Sequence, residues 1–197
     1  MIRHLALFAA LALVTAPAVA ATYKLDAMHT QVVFGWNHFG FSNPVAQFRT
    51  VEGTLQFDPA HPTEASVQVR IPLDSVNSNV SKLDEHLRDE YFDTAKYPEA
   101  TFKSTKVEKG ATPNTLKVTG DLTLRGVTKP IVLDVTINKV GKYPMRDAQA
   151  AGFDATTTIK RSEFGITKFV PSVSDDIKVH ITTEAISASD PKPAAKH

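Results

Sequence analysis

Residues 75–102, SVNSNVSKLDEHLRDEYFDTAKYPEATF, are the one part of the chain after its first twenty residues that has the pattern of a helix. Ser81 and Asp84 have the spacing of a capping box, in which the serine oxygen accepts a hydrogen bond from a free amide at the helix start. Leu83 and Leu87 are four residues apart, so they share a face that can close on a core. Because strand-like segments lie on both sides, the stretch predicts a lid or plug at the end of a sheet.

The first twenty residues have the composition of a secretory signal peptide. Arg3 supplies a basic start, residues 5–14 are apolar, and Ala18-Val19-Ala20 has the small-x-small cleavage pattern. A helix that spans a bilayer needs about 20 apolar residues, so a retained membrane anchor is not expected. We therefore predict export through the Sec pathway, cleavage after Ala20 or Ala21, and a periplasmic location.

Residues 22–187 are predicted to form one domain, a usual size for a chain with its own core. Residues 188–197 lack apolar periodicity and are predicted to be a disordered tail. The sequence has no cysteine, which excludes disulfides and lipoprotein modification. The domain has no basic run and its charges balance, so we expect neither a nucleic-acid partner nor stable membrane insertion.

Apolar and polar residues alternate with a period of two along most of this domain. The alternating segments are residues 32–38, 51–57, 65–71, 100–107, 116–124, 131–137, 153–160 and 177–181. Such short, closely spaced strands predict an all-β antiparallel sandwich or barrel with one short helix. Gly35, Gly53 and Gly120 fall inside strand patterns, where glycine permits bending or close approach. Because the inward positions are apolar, a ligand held inside a hollow barrel would be apolar.

Catalytic and metal-binding chemistry is weakly supported by the sequence. The candidate metal ligands are His29, His38 and His86, with Asp26, Asp84 and Asp93 as companions. They lack H-E-x-x-H or H-x-H spacing, which favours hydrogen-bonded histidines at a barrel rim over a metal site. Ser75 could join His86 and Asp84 in a triad, but the chain has no G-x-S-x-G elbow, and a serine before a helix is usually a cap. We predict no catalytic residue, no metal and no enzymatic activity.

Arg161 and Asp176 each place a charge beside an apolar strand pattern. They are predicted to form a structural ion pair at the rim, which would contribute about 0–1 kcal/mol.

Several stretches, taken in order, resemble one family. They are Asp26-x-x-His29-Thr30 with Phe34 and His38, Gly53-x-Leu55-x-Phe57-Asp58, motifs spread from Ser75-Val76-Asn77-Ser78 to Phe102-Lys103-Ser104, the run from Gly120-Asp121 to Lys129-Pro130, and Arg161-x-x-Phe164-Gly165-Ile166. The ordered set resembles the YceI-like lipid- or polyisoprenoid-binding family and covers residues 22–187. Two positions depart from its pattern: Leu83 precedes Asp84 where the family often has Arg, and Ser78 stands where it often has Thr.

The resemblance implies a lipocalin-like, eight-stranded antiparallel β-barrel, often dimeric, around an isoprenoid lipid such as a polyprenyl chain or a quinone tail. It therefore predicts a periplasmic carrier with no other cofactor and with a role in transport or stress response. From the inward phase and this resemblance, the predicted ligand-binding residues are Phe34, Trp36, His38, Leu55, Phe57, Val67, Val69, His86, Leu122, Leu133 and Val135. Lid or dimer contacts are predicted at Phe39, Phe41, Phe92 and Tyr97.

Two other classes of function stay open at this point. One is an enzyme with a metal-dependent site at the rim of the barrel. The other is a barrel with a filled interior that binds a protein partner through Phe39 and Phe41.

Overall fold

A computed structural model describes residues 20–145 and 147–187. The predicted signal peptide, apart from Ala20, and the predicted disordered tail lie outside these residues. The strands are β1 (Ala21–Leu25), β2 (Gln31–Gly35), β3 (Val45–Phe48), β4 (Glu52–Phe57), β5 (Ser66–Pro72), β6 (Val76–Asn77), β7 (Glu99–Lys109), β8 (Thr115–Leu124), β9 (Val127–Lys142), β10 (Gln149–Lys160) and β11 (Asp176–Ser187). The helical elements are α1 (Ser81–His86), a π-helical turn (Leu87–Phe92) and 3-10 turns at Pro62–Glu64, Leu73–Ser75 and Arg161–Phe164.

These strands close a barrel with eight antiparallel positions, here called staves. Three of the staves are bent, and each of these three consists of two strands. β1 and β2 lie along the same edge of β11, since Tyr23 pairs with Ser187 and Val32 pairs with Ile181. β3 and β4 form a second bent stave, because β3 pairs with β2 while β4 pairs with β1. β5 and β6 form the third, and β7 to β11 are continuous. The predicted all-β, eight-stranded antiparallel barrel with one short helix is confirmed.

The sequence pattern does not predict β1 or β3 as separate strands. Both lie beside bends, at residues 26–30 and 49–51, where the chain leaves the ladder and the alternation is interrupted. β3 has only four residues, too few for a period of two to be distinguished from chance. The bent staves therefore become visible only through their pairing partners.

Connections between the strands collect at the two ends of the barrel. The helical end holds the turn at 36–44, the segment 78–98, the β8–β9 turn and the loop 165–175. The opposite end holds the β4–β5, β7–β8 and β9–β10 connections. No helix in the described part of the chain is long and apolar enough to cross a membrane.

The lid (residues 78–98) closes the helical end of the barrel. Leu87 and Phe92 are buried, and Leu83 packs on the same hydrophobic cluster. The shared face predicted for Leu83 and Leu87 is therefore confirmed, and the lid carries a large aromatic side chain into the interior.

The predicted capping box of Ser81 and Asp84 is wrong. Ser81 makes no capping hydrogen bond, since α1 has none from a side chain. Asp84 Oδ1 instead accepts hydrogen bonds from the backbone N and the Oγ of Ser78, both at 2.6 Å. Asn79 has a φ of 63°, which turns the chain so that Ser78 reaches Asp84.

Two of the strand glycines allow close packing. A Cβ at Gly120 would lie 2.4 Å from Cζ of Phe102 and 2.6 Å from the carbonyl oxygen of Lys103. A Cβ at Gly53 would lie 2.7 Å from Cδ1 of Leu25. The predicted close approach is confirmed at both positions, and at Gly120 it lets the Phe102 ring lie across the interior face of the sheet.

Candidate ligand-binding cavity

An apolar cavity of about 240 Å³ lies inside the barrel. Its lining extends from Phe92 in the lid to Ala65 and Ser66, which lie at the start of β5 near the opposite end. Aliphatic and aromatic side chains supply nearly all of the lining. Thr30 and Thr183 are polar exceptions, and their hydroxyl groups hydrogen-bond to each other at 2.7 Å. The interior therefore favours an apolar ligand.

Most of the residues predicted to bind a ligand lie on this cavity wall. They are Phe34, Leu55, Phe57, Val67, Val69, Leu122, Leu133 and Val135. Each faces inward because it holds the same phase of the two-residue period as its strand neighbours on the wall. That they contact a ligand stays a prediction.

Trp36 does not line the cavity, which corrects the prediction for this residue. Its ring stacks on Phe34 with centroids 6.0 Å apart and packs against the same hydrophobic cluster, but it is not among the residues that line the cavity. β2 ends at Gly35, so Trp36 lies past the end of the strand, where it contacts Phe34 without reaching the cavity wall.

The two histidines predicted to bind the ligand also lie outside the cavity wall. His38 is in the turn after β2, where its backbone N donates to Ser42 O at 2.9 Å. His86 is on the exposed side of α1, with Nδ1 2.7 Å from Oε1 of Glu90. Both belong to the helical end, and neither is among the residues that line the cavity.

The four predicted lid or dimer residues have different surroundings. Phe92 is buried, lines the cavity, and packs edge-on against Phe34 with centroids 6.0 Å apart. Tyr97 packs against the β8–β9 turn, where the Arg125 guanidinium lies 5.8 Å from its ring centroid. Phe39 and Phe41 are exposed on the turn after β2. Phe92 therefore belongs to the closed end of the cavity, and a dimer contact stays a prediction.

Polar contacts hold the lid to its neighbours. Lys168 Nζ forms an ion pair with Glu90 in the π-helical turn. This contact with Lys168, with a contribution from His86, holds the pKa of Glu90 below its usual value. Arg125 Nη1 donates to Tyr91 O at 2.9 Å. The lid is thus tied to the loop 165–175 and to the β8–β9 turn.

Arg161 holds the loop 165–175 in place, and its predicted ion pair with Asp176 is wrong. Asp176 Oδ1 accepts from Lys160 Nζ at 2.8 Å. The Arg161 side chain is only 4% exposed, and burial lowers its pKa, although a guanidinium stays protonated in proteins. Its nitrogens donate to the carbonyl oxygens of Ser174, Ile166, Lys168 and Val173, at 2.9–3.0 Å. The position of Arg161 beside an apolar strand pattern indicated an unusual residue. The pattern did not indicate that the partners of Arg161 are backbone carbonyls.

Two of the candidate metal ligands meet a third residue on the barrel wall. His29 Nδ1 lies 2.8 Å from Asp26 Oδ2 and 3.8 Å from Glu184 Oε2. Sequence reasoning missed Glu184 because it lies on β11, far along the chain. The group does not line the cavity, and the other candidate ligands lie elsewhere. Asp26 and His29 are hydrogen-bonded to each other, whereas Glu184 Oε2 is buried, has no hydrogen-bond partner among the described residues and lies within ion-pair distance of His29.

Replacing Asp26 with asparagine should lower the pKa of His29. The hydrogen bond that His29 donates to the Asp26 carboxylate raises this pKa above its ordinary value. A raised folded-state pKa stabilises the fold below the unfolded pKa of about 6.5, and the contribution is lost as pH rises through the folded pKa. An NMR titration of the histidine side chains measures the shift. His61, whose pKa is raised by its own partner Asp58, serves as the internal control. An unchanged pKa of His29 in the variant would contradict the prediction.

Comparison with known proteins places the whole barrel in one group. Residues 23–185 match the YceI-like domain. Protein YceI of Salmonella agona is 38% identical over 182 residues, which cover 91% of this chain and 94% of that protein. The chain belongs to the YceI-like family.

Solved structures agree with this YceI-like fold. The YceI protein of Campylobacter jejuni is 34% identical, with a TM-score of 0.69 over 77% of this chain and 90% of that chain. BcnA of Burkholderia cenocepacia is 24% identical, with a TM-score of 0.73 over 81% and 98%. A polyisoprenoid binding domain from Saccharophagus degradans is 18% identical, with a TM-score of 0.66 over 86% and 99%. The last two share the fold.

Proposed function

We propose that this YceI-like protein is a periplasmic carrier that sequesters an isoprenoid lipid, either a polyprenyl chain or a quinone tail, in its barrel. The observation that carries this proposal is the apolar cavity of about 240 Å³ that reaches from the lid to the start of β5. The signal-peptide pattern at the N-terminus supports the periplasmic location.

The size of the cavity favours an occupied interior. Empty apolar cavities in proteins cost about 24 cal/mol per Å³, so leaving this one empty would cost about 6 kcal/mol. That is a large part of the about 5–15 kcal/mol that stabilises a typical domain. An apolar ligand removes this cost and contributes about 0.8 kcal/mol for each CH₂ group that leaves water.

The shape and chemistry of the wall support a long, branched hydrocarbon. Leucine, isoleucine, valine and phenylalanine side chains from every strand except β6 line the cavity. None of the described residues that line it is charged, so affinity would come from burial and selectivity from chain length. The solved Saccharophagus degradans domain, which shares this fold, is described as polyisoprenoid binding.

The geometry gives little support to catalysis. Among the residues suggested as a triad, Ser75 Oγ donates to Pro72 O at 2.6 Å, and Asp84 accepts from Ser78. His86 contacts Glu90 instead of either residue. These side chains therefore do not form a nucleophile, base and orienting acid in the described structure. A binding role is also what the YceI-like relatives favour.

The test is to identify what the protein carries. The chain would be purified from a bacterial periplasm, extracted with organic solvent and analysed by mass spectrometry, with an unrelated periplasmic protein extracted in parallel. A polyprenyl or quinone species near one equivalent is the expected result. A clean extract, with no change in Trp36 fluorescence when isoprenoid lipids are offered, would overturn the proposal and favour a filled barrel that binds a protein.

A further inference from the structure

Three exposed phenylalanine side chains lie on two adjoining loops at the helical end, Phe39 and Phe41 on the turn after β2 and Phe169 on the loop 165–175. Phe39 is 46% exposed, Phe41 is 92% exposed and Phe169 is 55% exposed. The ring centroids of Phe39 and Phe169 are 6.4 Å apart. These three residues are termed the phenylalanine patch. Exposing large apolar rings to water is unfavourable. A patch of this kind therefore marks an interaction surface.

The two loops that carry the patch are hydrogen-bonded to each other. Phe39 N donates to Ser172 O at 2.9 Å, and Ser174 N donates to Asn37 O at 2.9 Å. His38 also forms a β-bridge with Val173. These contacts hold the rings in place before a partner arrives, which reduces the ordering cost of binding.

The charges around the patch fit a phospholipid surface. Residues 36–48 contain no Asp, Glu, Lys or Arg, and residues 165–174 contain only Lys168. Lys168 Nζ lies 5.2 Å from the Phe169 ring centroid. Loops with apolar rings and almost no charge match the boundary of a bilayer, where the rings enter the acyl region; the one charge, that of Lys168, is already paired with Glu90.

The area of the patch is too small for a stable dimer. A phenylalanine side chain buries about 150–250 Å², so these partly exposed rings offer roughly 400 Å² together. A stable protein interface buries about 800 Å² on each partner. Shallow insertion into a bilayer has no such requirement, because a few rings at loop tips can supply the contact.

We propose that the phenylalanine patch is a membrane-docking face that inserts its three rings into the headgroup and acyl boundary of a phospholipid bilayer. Docking would place the lid beside the membrane, because Lys168 next to the patch is paired with Glu90 in the lid. The lid also carries Phe92, which lines the cavity. Transfer of cargo at this place rests on the proposed function, whereas docking itself does not.

The test measures how the protein partitions onto phosphatidylcholine vesicles in a co-sedimentation assay. The protein used is the processed form, whose mass shows that residues 1–20 have been removed. Phe41→Asp should lower the partition coefficient about tenfold or more, since one buried ring is replaced by a charge. Met145→Asp is the matched control, because Met145 is 85% exposed on the β9–β10 connection at the opposite end. Binding should persist at 0.5 M NaCl, because the screening length there is about 4 Å and attraction between exposed charges is largely suppressed, whereas apolar contact is not.

A fluorescence measurement gives an independent readout. When vesicles are added, the tryptophan emission of the Phe41→Trp variant should shift to the blue, and that of the Met145→Trp variant should not. Docking by a Leu133→Trp variant, whose cavity is filled, should equal that of the unmodified protein, which separates docking from cargo binding. Equal partition of Phe41→Asp and Met145→Asp would overturn the proposal. So would a dimer in sedimentation that Phe41→Asp dissociates, without vesicle binding by the unmodified protein.

Discussion

Leu133→Arg is expected to reduce bound lipid to about a tenth or less of the amount held by the unmodified protein. Leu133 lies on β9 and lines the cavity. An arginine there would put an unpaired cation against apolar side chains, and burying such a charge costs several kcal/mol. The guanidinium therefore has to draw water into the cavity or displace the ligand. The lipid-to-protein ratio in a solvent extract, measured by mass spectrometry, gives the result.

The neighbouring residue supplies a matched control. Val132 is 44% exposed and is absent from the cavity wall, so Val132→Arg should retain its lipid. If Leu133→Arg fails to fold, Leu133→Trp fills the same space without a charge and should also lower lipid occupancy. Normal lipid content in a folded Leu133→Trp protein, together with normal content in Leu133→Arg, would show that the ligand lies elsewhere.

Arg161→Leu is expected to lower the free energy of unfolding by about 3–5 kcal/mol, because it leaves several buried carbonyl groups without donors. Arg161 donates to four backbone carbonyls across residues 166–174. A leucine keeps the apolar part of the side chain but none of the donors. Urea denaturation, followed by circular dichroism, measures the change through the midpoint and slope of the transition.

Lys160→Ala is the control for this prediction. Lys160 is adjacent in sequence, but its ion pair with Asp176 is exposed, and such pairs contribute about 0–1 kcal/mol. Arg161→Lys should be intermediate, since an ammonium keeps the charge but lacks the planar fork that reaches four acceptors. Equal free energies of unfolding for the Arg161→Leu and Lys160→Ala variants would contradict the prediction. They would show that the guanidinium does not hold the loop 165–175.

The inward face of the barrel could be predicted because a strand has a period of two. Leu55 and Phe57 on β4, and Leu133 and Val135 on β9, share a phase in the sequence, and all four line the cavity. The period of two applies only while the chain stays in a strand. Trp36 lies past the end of β2, and there the phase correctly predicts contact with Phe34 but not whether the side chain reaches the cavity.

The partners of polar groups could not be predicted in the same way. Glu184 meets Asp26 and His29 because β11 pairs with β1, a contact between the two ends of the described chain. Arg161 donates to carbonyls of the loop that follows it, and that loop has no periodic pattern. Local spacing carries no information about either contact.

The sequence by itself determined the strand class, the apolar interior and the lid, because these depend on local periodicity and on the distribution of apolar side chains. It also carried the ordered motifs of the YceI-like family. Only the tertiary structure decided which strands bend into shared staves, how the lid is tied through Glu90 and Lys168, and which aromatic rings stay in water. Those features depend on contacts between residues far apart in the chain, where chain closure and packing decide the partners.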